Sequence, residues 1–476
     1  MLQALETFKN NALKEKVIDM NELKEIPEFL KASKETHVFR KNLSHSKLVI
    51  FCLSCWAINL SLFWPGILSP DSVGQFEQAK SAVFTNHHPA LMTFIWSLLH
   101  KLVPGPGLFL ACHQALWWGA LFTIALTLLQ KGSKRYYFVF LLALWPTFLG
   151  YNALIWKDVS FSLSYFFVIS LVLRGFFLKR SLKNSIFLSC LLLLFYGTGV
   201  KYQAVYVLPV VVYFLLQVTS FKVFQKKIVL LLTSLVISML FYHGNKVVDS
   251  ILVPPSLQSN SWQMARLYDL AGISYFTNKA LLPDYIKKSP TYSFKKLHML
   301  YNSKNVDPYL YDASPALKTT QDDAELKELW SYWKQTVYDY KFEYFLHRSY
   351  LWLNLISQKP QDISHYLKVS TDNLVFKDSA LPSLQLYFDL FPLWLLNFFW
   401  VFPILVLTRL VIGSLTSDDP LKSAISLLKG VILSQLLIYF FLSMASDLRY
   451  VFLSNLCGAL LGITLIFKDT LTVKPC

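Results

Sequence analysis

The chain has 476 residues, of which 54% are hydrophobic and 16% charged, where a soluble domain carries about 25% charge. Mean hydropathy is +0.41, and the apolar residues fall in long blocks, not at amphipathic spacing, which excludes a disordered chain, a coiled coil and a water-soluble nucleic-acid binder. The net charge of +16 lies largely in flanks of those blocks on one side, so it reads as membrane orientation and not as nucleic-acid binding.

Residues 1–46 are polar and Lys-rich, with Lys14, Lys16, Glu22, Lys24 and Glu25 at helical spacing, and read as a cytoplasmic arm or surface helix. No signal peptide is expected, because the first apolar block starts near Leu48, after a charged segment too long for an n-region. Ten blocks then follow that reach or nearly reach the roughly 30 Å needed to span a bilayer. They are 47–68, 108–129, 136–155, 159–178, 185–200, 204–217, 228–243, 386–412, 424–444 and 450–467. The fifth and sixth are short and read as a tight hairpin or a broken helix. Cys52, Cys55, Cys112, Cys190 and Cys457 lie inside blocks and Cys476 ends the chain, so apolar filler is favoured over redox or metal chemistry.

Segment 89–103 is too short to span comfortably and holds His100 and Lys101. The basic turns Lys131-Lys134-Arg135, Arg174-Lys179-Arg180-Lys183 and Lys222-Lys226-Lys227 all face the cytoplasm only if it does not cross. It therefore reads as a juxtamembrane helix, and both termini are expected inside. The expected fold is an all-α polytopic membrane protein. It has a seven-helix module over 47–243 with an outer loop at 69–107, a mainly helical outer loop domain at 244–385, and a three-helix region at 386–476. In the loop domain, Asp322-Asp323 caps an amphipathic helix, and Phe342 to Ile356 reads as a surface-lying helix. Pro254-Pro255, Pro283, Pro290, Pro308 and Pro315 break the rest.

Five polar elements interrupt the blocks on the outward side. Ser69-Pro70-Asp71-Ser72 follows the first block, with Gln75, Phe76, Glu77, Gln78 and Ala79 next. A carboxylate there suits a general base toward a hydroxyl, or a divalent cation; a helix cap is the competing reading. Asn86-His87-His88-Pro89 offers metal or phosphate ligands, and at most one of the two adjacent His residues is expected to act directly; an interfacial loop is the alternative. Trp156-Lys157-Asp158 places a Lys–Asp pair where charge is costly unless paired or functional; a snorkelling Lys beside a capping Asp is the alternative. Lys201-Tyr202-Gln203 and Asp447-Leu448-Arg449-Tyr450 put cations at the boundary that suit a lipid-linked phosphate, or else serve as interfacial anchors.

These elements, in this order, resemble the GT-C superfamily of integral-membrane glycosyltransferases, which includes the protein O-mannosyltransferases and the lipid A aminoarabinose transferases. Pro70-Asp71-Ser72 with Phe76 and Ala79 is similar to the family's acidic first-loop motif, His87-His88-Pro89 to its Pro-rich entry to the juxtamembrane helix. Asp158 ahead of Phe161, Phe166 and Phe167 is similar to its second acidic residue, and Arg449-Tyr450 to its late Arg-Tyr. Ser72 stands where many relatives have Glu. The resemblance implies an enzyme in a bacterial inner membrane. It would move a sugar from a polyprenyl-phosphate donor to a lipid, glycan or protein acceptor, in contact with membrane lipid and without nucleic acid. Asp71 and Asp158 would be catalytic; His87, His88, Lys157, Lys201, Arg449 and Glu77 would bind substrate; a divalent cation would be an optional cofactor, its ligands unassigned. A transporter or flippase of lipid-linked glycans is the alternative, as is a polymerase, although no internal repeat is evident and the block interiors are nearly charge-free.

Overall fold

The structure is a computed structural model that describes residues 45–221, 226–311, 315–357, 397–416 and 419–472, with the single residues 390, 391 and 395. The arm at 1–44, Lys222, Cys476, residues 358–385 of the loop domain and most of 386–396 lie outside the described residues. The chain divides into two compact units, Met1–Ala57 and Ile58–Cys476. All residues of the candidate site described below belong to the second.

The described residues are helical; the only strand-like pairings among them are two isolated bridges. Among the described residues, six helices are long and apolar enough to cross a membrane: His45–Phe63, Gly107–Gln130, Lys157–Leu178, Lys227–Leu252, Pro420–Leu442 and Leu448–Ile466. They coincide with six of the ten apolar blocks. Blocks 185–200, 204–217 and 386–412 appear as the shorter apolar helices Asn184–Val200, Leu208–Gln217 and Val401–Ile412.

Block 136–155 departs from the expectation. It is a 3-10 segment, Tyr136–Leu144, and a short helix, Pro146–Ala153. Pro146 has no N–H to donate and its ring disfavours helical backbone at Trp145, so the block breaks there. The seventh block runs on to Leu252, so Asn245 and Asp249, expected in the loop, are helical and buried. Segment 89–103 forms Ala90–Leu102; thirteen residues at 1.5 Å each fall well short of a bilayer core. Asp322 caps Asp323–Asp339 as expected, accepting from the N–H groups of Ala324 and Glu325 at 2.9 and 3.0 Å; Lys341–Ser357 is helical, with His347, Arg348, Leu351 and Leu355 buried on one side and Phe342, Phe345 and Leu353 exposed.

Burial separates the core from the lipid-facing helices. In Lys157–Leu178, 78% of the most apolar window is buried, against 22% in Lys227–Leu252. The latter buries Leu230, Ser234, Ser238, Asn245 and Asp249 and exposes Ile228, Leu232, Leu235, Val236, Met239 and Leu240. That is the reverse of a soluble amphipathic helix and the arrangement a lipid surround selects. The core helix carries Ser160, Ser162, Ser164 and Ser170, all buried, small enough to let helices approach closely. Ser164 and Ser170 donate to the carbonyls of Phe161 and Phe166, each at 2.8 Å, so these hydroxyls are satisfied within their own helix.

Candidate functional site

Two loops distant in sequence run side by side. Ile67 N donates to Ala153 O at 2.9 Å and Ile155 N donates back to Ile67 O at 3.1 Å, forming a parallel bridge. Gly66 permits this approach: its φ is +114°, and a Cβ there would stand 2.7 Å from Ile155 Cδ1. Side chains complete the staple. Ser72 Oγ donates to Ile155 O at 2.5 Å and Trp156 Nε1 donates to Ser69 Oγ at 2.7 Å.

Ser69 is also the N-cap of Pro70–Ser81, accepting from Ser72 N, with Pro70 in the first turn. The cap reading of Asp71 therefore fails; Ser69 does that work and leaves the Asp71 carboxylate pointing elsewhere. Ser72 is wholly buried and donates to a carbonyl, so a Glu here would set a buried carboxylate against a carbonyl oxygen.

Asp71 and Asp158, brought together by the staple, face one guanidinium. Arg449 NH1 lies 3.6 Å from Asp71 Oδ2 and Arg449 Nε lies 3.9 Å from Asp158 Oδ2. Arg449 is itself held by Asp447, at 2.9 Å to Nε, and Asp447 Oδ1 accepts from the Arg449 N–H at 3.0 Å. Its guanidinium lies 4.8 Å from the centre of the Trp156 ring. Lys201 closes on Asp158 at 2.6 Å beneath the Tyr450 ring, 4.5 Å away, which stacks on Tyr439 with planes 3° apart.

The carboxylates are not equivalent. The Asp71 side chain is 44% exposed and meets its neighbours only at 3.6–3.9 Å; Asp158 is 2% exposed and tightly paired. Of the two, Asp71 is the one open to an incoming molecule. The cations differ in the same way. Lys201 is taken up by Asp158 and the Nε of Arg449 by Asp447, whereas Lys157 Nζ rests 2.5 Å from His88 Nδ1. Among the described residues, no carboxylate oxygen lies within ion-pair distance of Lys157. Burial, then the Lys157 charge, pushes His88 well below the usual histidine value; the neutral ring accepts from Lys157 at Nδ1 and turns Nε2 toward Asp71 Oδ1, 3.9 Å away.

The His pair is divided as expected. His88 joins the cluster; His87 stacks on it edge-on with ring centres 4.8 Å apart and turns to a cleft in the loop domain. Glu77 stays apart, exposed and paired with Lys80 at 2.6 Å, and nothing in the structure brings it to the cluster. Of the eight site residues expected from sequence, the cluster gathers Asp71, Asp158, His88, Lys157, Lys201 and Arg449, with His87 beside it.

Sequence reasoning missed Asp307. Burial and then the Asp71 charge push its carboxyl up, while Arg449 acts the other way, which places it at the same mouth. It arrives because residues 304–306 pair with the turn before Asp447: Val306 N donates to Met444 O at 3.0 Å and Ser446 N to Lys304 O at 2.5 Å. Also missed was Asp249, which accepts from the Ala90 N–H at 3.1 Å and from the Tyr202 hydroxyl, anchoring the juxtamembrane helix beside Lys201.

Among the described residues no group of three His, Cys, Asp or Glu side chains is placed to hold a metal ion. Two cationic side chains, Lys201 and Arg449, stand on the carboxylates instead, a donor set that does not fit a divalent cation. Comparison with family models, with curated proteins and with solved structures gives no match.

Proposed function

We propose that the chain is an integral-membrane glycosyltransferase that takes a sugar from a polyprenyl-phosphate carrier and passes it to an acceptor hydroxyl on the non-cytoplasmic face. The observation that carries this reading is one half-exposed carboxylate, Asp71, set among cations of which Lys157 has no paired carboxylate. Asp71 takes the proton of the acceptor hydroxyl as its oxygen attacks the anomeric carbon. The bond from that carbon to the phosphate oxygen breaks, and the electron pair leaves with the phosphate. Lys157 and the outer nitrogens of Arg449 stabilise that charge. One base suffices, and direct displacement inverts the anomeric centre. Asp158 is a positioning residue here, since it is sealed beneath Lys201.

The orientation follows from helix Lys157–Leu178, which starts in the cluster and ends beside Lys179 and Arg180. The positive-inside rule sets that basic end in the cytoplasm and the cluster outside. The ten-pass arrangement remains part of this proposal, with the shorter apolar helices crossing in pieces. A lipid and glycan comparison of the parent strain with a deletion strain tests the reaction. The expected result is one missing modification and accumulation of its lipid-linked sugar donor; an unchanged glycan profile with unchanged carrier lipids removes the proposal. A donor that accumulates only in the inner leaflet supports the flippase alternative instead.

A further inference from the structure

Beside the cluster lies an open cleft of about 280 Å³ in the loop domain. The first loop forms one wall, where three consecutive residues have three different jobs. Asn86 Oδ1 accepts from Ser259 N at 2.5 Å and from Ser259 Oγ at 3.0 Å, fastening the loop to the domain. His87 lines the cleft, and His88 reaches Asp71. Tyr311, itself largely exposed, lines the cleft as well. With His87 in its wall and His88, the next residue, at Asp71, the cleft sits beside the open carboxylate.

Among the described residues its lining is almost uncharged: Lys318 is the one Lys, Arg, Asp or Glu there, and it is exposed. Apart from His87, the other polar side chains of the described lining are amides and hydroxyls. Asn260 Nδ2 donates to Gln321 Oε1 at 3.1 Å, so each amide keeps its second polar atom out of that bond: an oxygen on Asn260, an NH₂ on Gln321. A donor and an acceptor side by side match a pair of neighbouring hydroxyls, each of which both donates and accepts. Tyr311 adds an aromatic face, and Met264 and Leu317 an apolar patch, suited to the C–H face of a sugar ring. The charges of Asp307 and Asp71 act on the Tyr311 phenol, so a carboxylate or phosphate group against that ring is disfavoured. An extended peptide would want a free strand edge, and among the described residues the only strand-like pairings are the two isolated bridges.

We infer that this cleft is the acceptor subsite and that its occupant is an uncharged, hydroxyl-rich carbohydrate. The assignment rests on the glycosyl-transfer reading for its role, and on the lining alone for its ligand. The test is binding of the full-length chain in detergent to an array of uncharged oligosaccharides, with acidic oligosaccharides and neutral peptides as competing classes. Wild type and Asp71→Asn are expected to bind the same uncharged oligosaccharides. Asn260→Leu and Gln321→Leu, on the cleft surface, should each weaken that binding about tenfold, or roughly 1.4 kcal/mol, with unchanged melting temperature. Capture of the acidic or peptide class in preference, no oligosaccharide binding, or wild-type affinity in both Leu variants overturns the inference. Oligosaccharide binding with no transfer in any assay keeps the cleft assignment and removes the reaction.

Discussion

The molecule contains two clusters built from the same side chains and put to opposite uses. Around Arg449, carboxylates and cations meet partly at 3.6–3.9 Å and Asp71 is half exposed. In the loop domain, Arg348 pairs with Asp269 at 2.6 Å and both are fully buried. His347 lies 3.9 Å from the same carboxylate, and Trp333 Nε1 donates to it at 2.9 Å. Arg348 NH1 donates to Ser443 O at 2.6 Å, four residues before Asp447. Each cluster joins Asp, Arg, His and an aromatic ring. The sealed one closes its ion pair at short range and leaves no room for another molecule; the open one leaves a carboxylate and an ammonium under-used. Residue type therefore does not tell the two clusters apart. Incomplete pairing with access does.

The comparison breaks most visibly at Asp71. Under the proposed reaction Asp71→Asn lowers transfer by roughly a hundred- to ten-thousand-fold and leaves the melting temperature close to wild type, because the carboxylate is half solvated and weakly paired. Transfer assayed in detergent beside a thermal melt separates the two effects, and an active variant would return Asp71 to a surface role. Arg348→Met should do the reverse. Leaving Asp269 buried without its partner costs about 3–5 kcal/mol, seen as a lowered melting temperature and poor yield. The double variant Asp269→Leu with Arg348→Met should recover part of that stability; no recovery would mean that the Ser443 contact, not the ion pair, carries the effect.

Lys201→Met is expected to fall between the two, because Asp158 is sealed like the loop-domain pair yet lies inside the open cluster. It should lose stability by a few kcal/mol and transfer as well, and adding Asp158→Asn should restore more of the stability than of the transfer. If both return together, Asp158 is structural only.

The smallest effect concerns pH. His88 is held below its ordinary value near 6.5, the value expected in the unfolded chain. Below about pH 6.5 the unfolded chain takes up a proton that the folded chain refuses, so stability falls as pH falls, by at most about 1.4 kcal/mol per pH unit. Asp71 favours the protonated ring, while Lys157, His87, Lys201 and Arg449 oppose it. The melting temperature of His88→Gln should drop less between pH 7 and pH 5 than that of wild type, and parallel curves would show that His88 is not held neutral by folding.

Much of the helical layout was legible because hydropathy and caps are local. Asp322 announced its helix, and segment 89–103 was legible as a short helix, Ala90–Leu102. Block 136–155 was misread because hydropathy alone is blind to what Pro146 does to its neighbours. The gathering of Asp71, Asp158, Lys157, Lys201 and Arg449 was foreshadowed because a charge at a membrane boundary is costly and stands out against apolar sequence. Asp307 had no such contrast: in a polar loop a carboxylate is unremarkable, and only the pairing of residues 304–306 with the Met444 turn gives it meaning. The difference between Asp71 and Asp158 was equally invisible, since exposure there is decided by Lys201, Tyr450 and Arg449, far away along the chain.

The distance between those contributors bears on how the protein is made. Asp71 is carried by the first loop and Arg449 by one of the last helices, 378 positions later (449 − 71). At about 5–20 residues per second, roughly twenty to seventy-five seconds separate their emergence from the ribosome. During that interval the growing chain exposes an acidic loop without its arginine. The Val306–Met444 and Lys304–Ser446 bonds can form only after nearly all of the chain has entered the membrane. A nascent chain therefore lacks the assembled cluster, which is completed only late in synthesis.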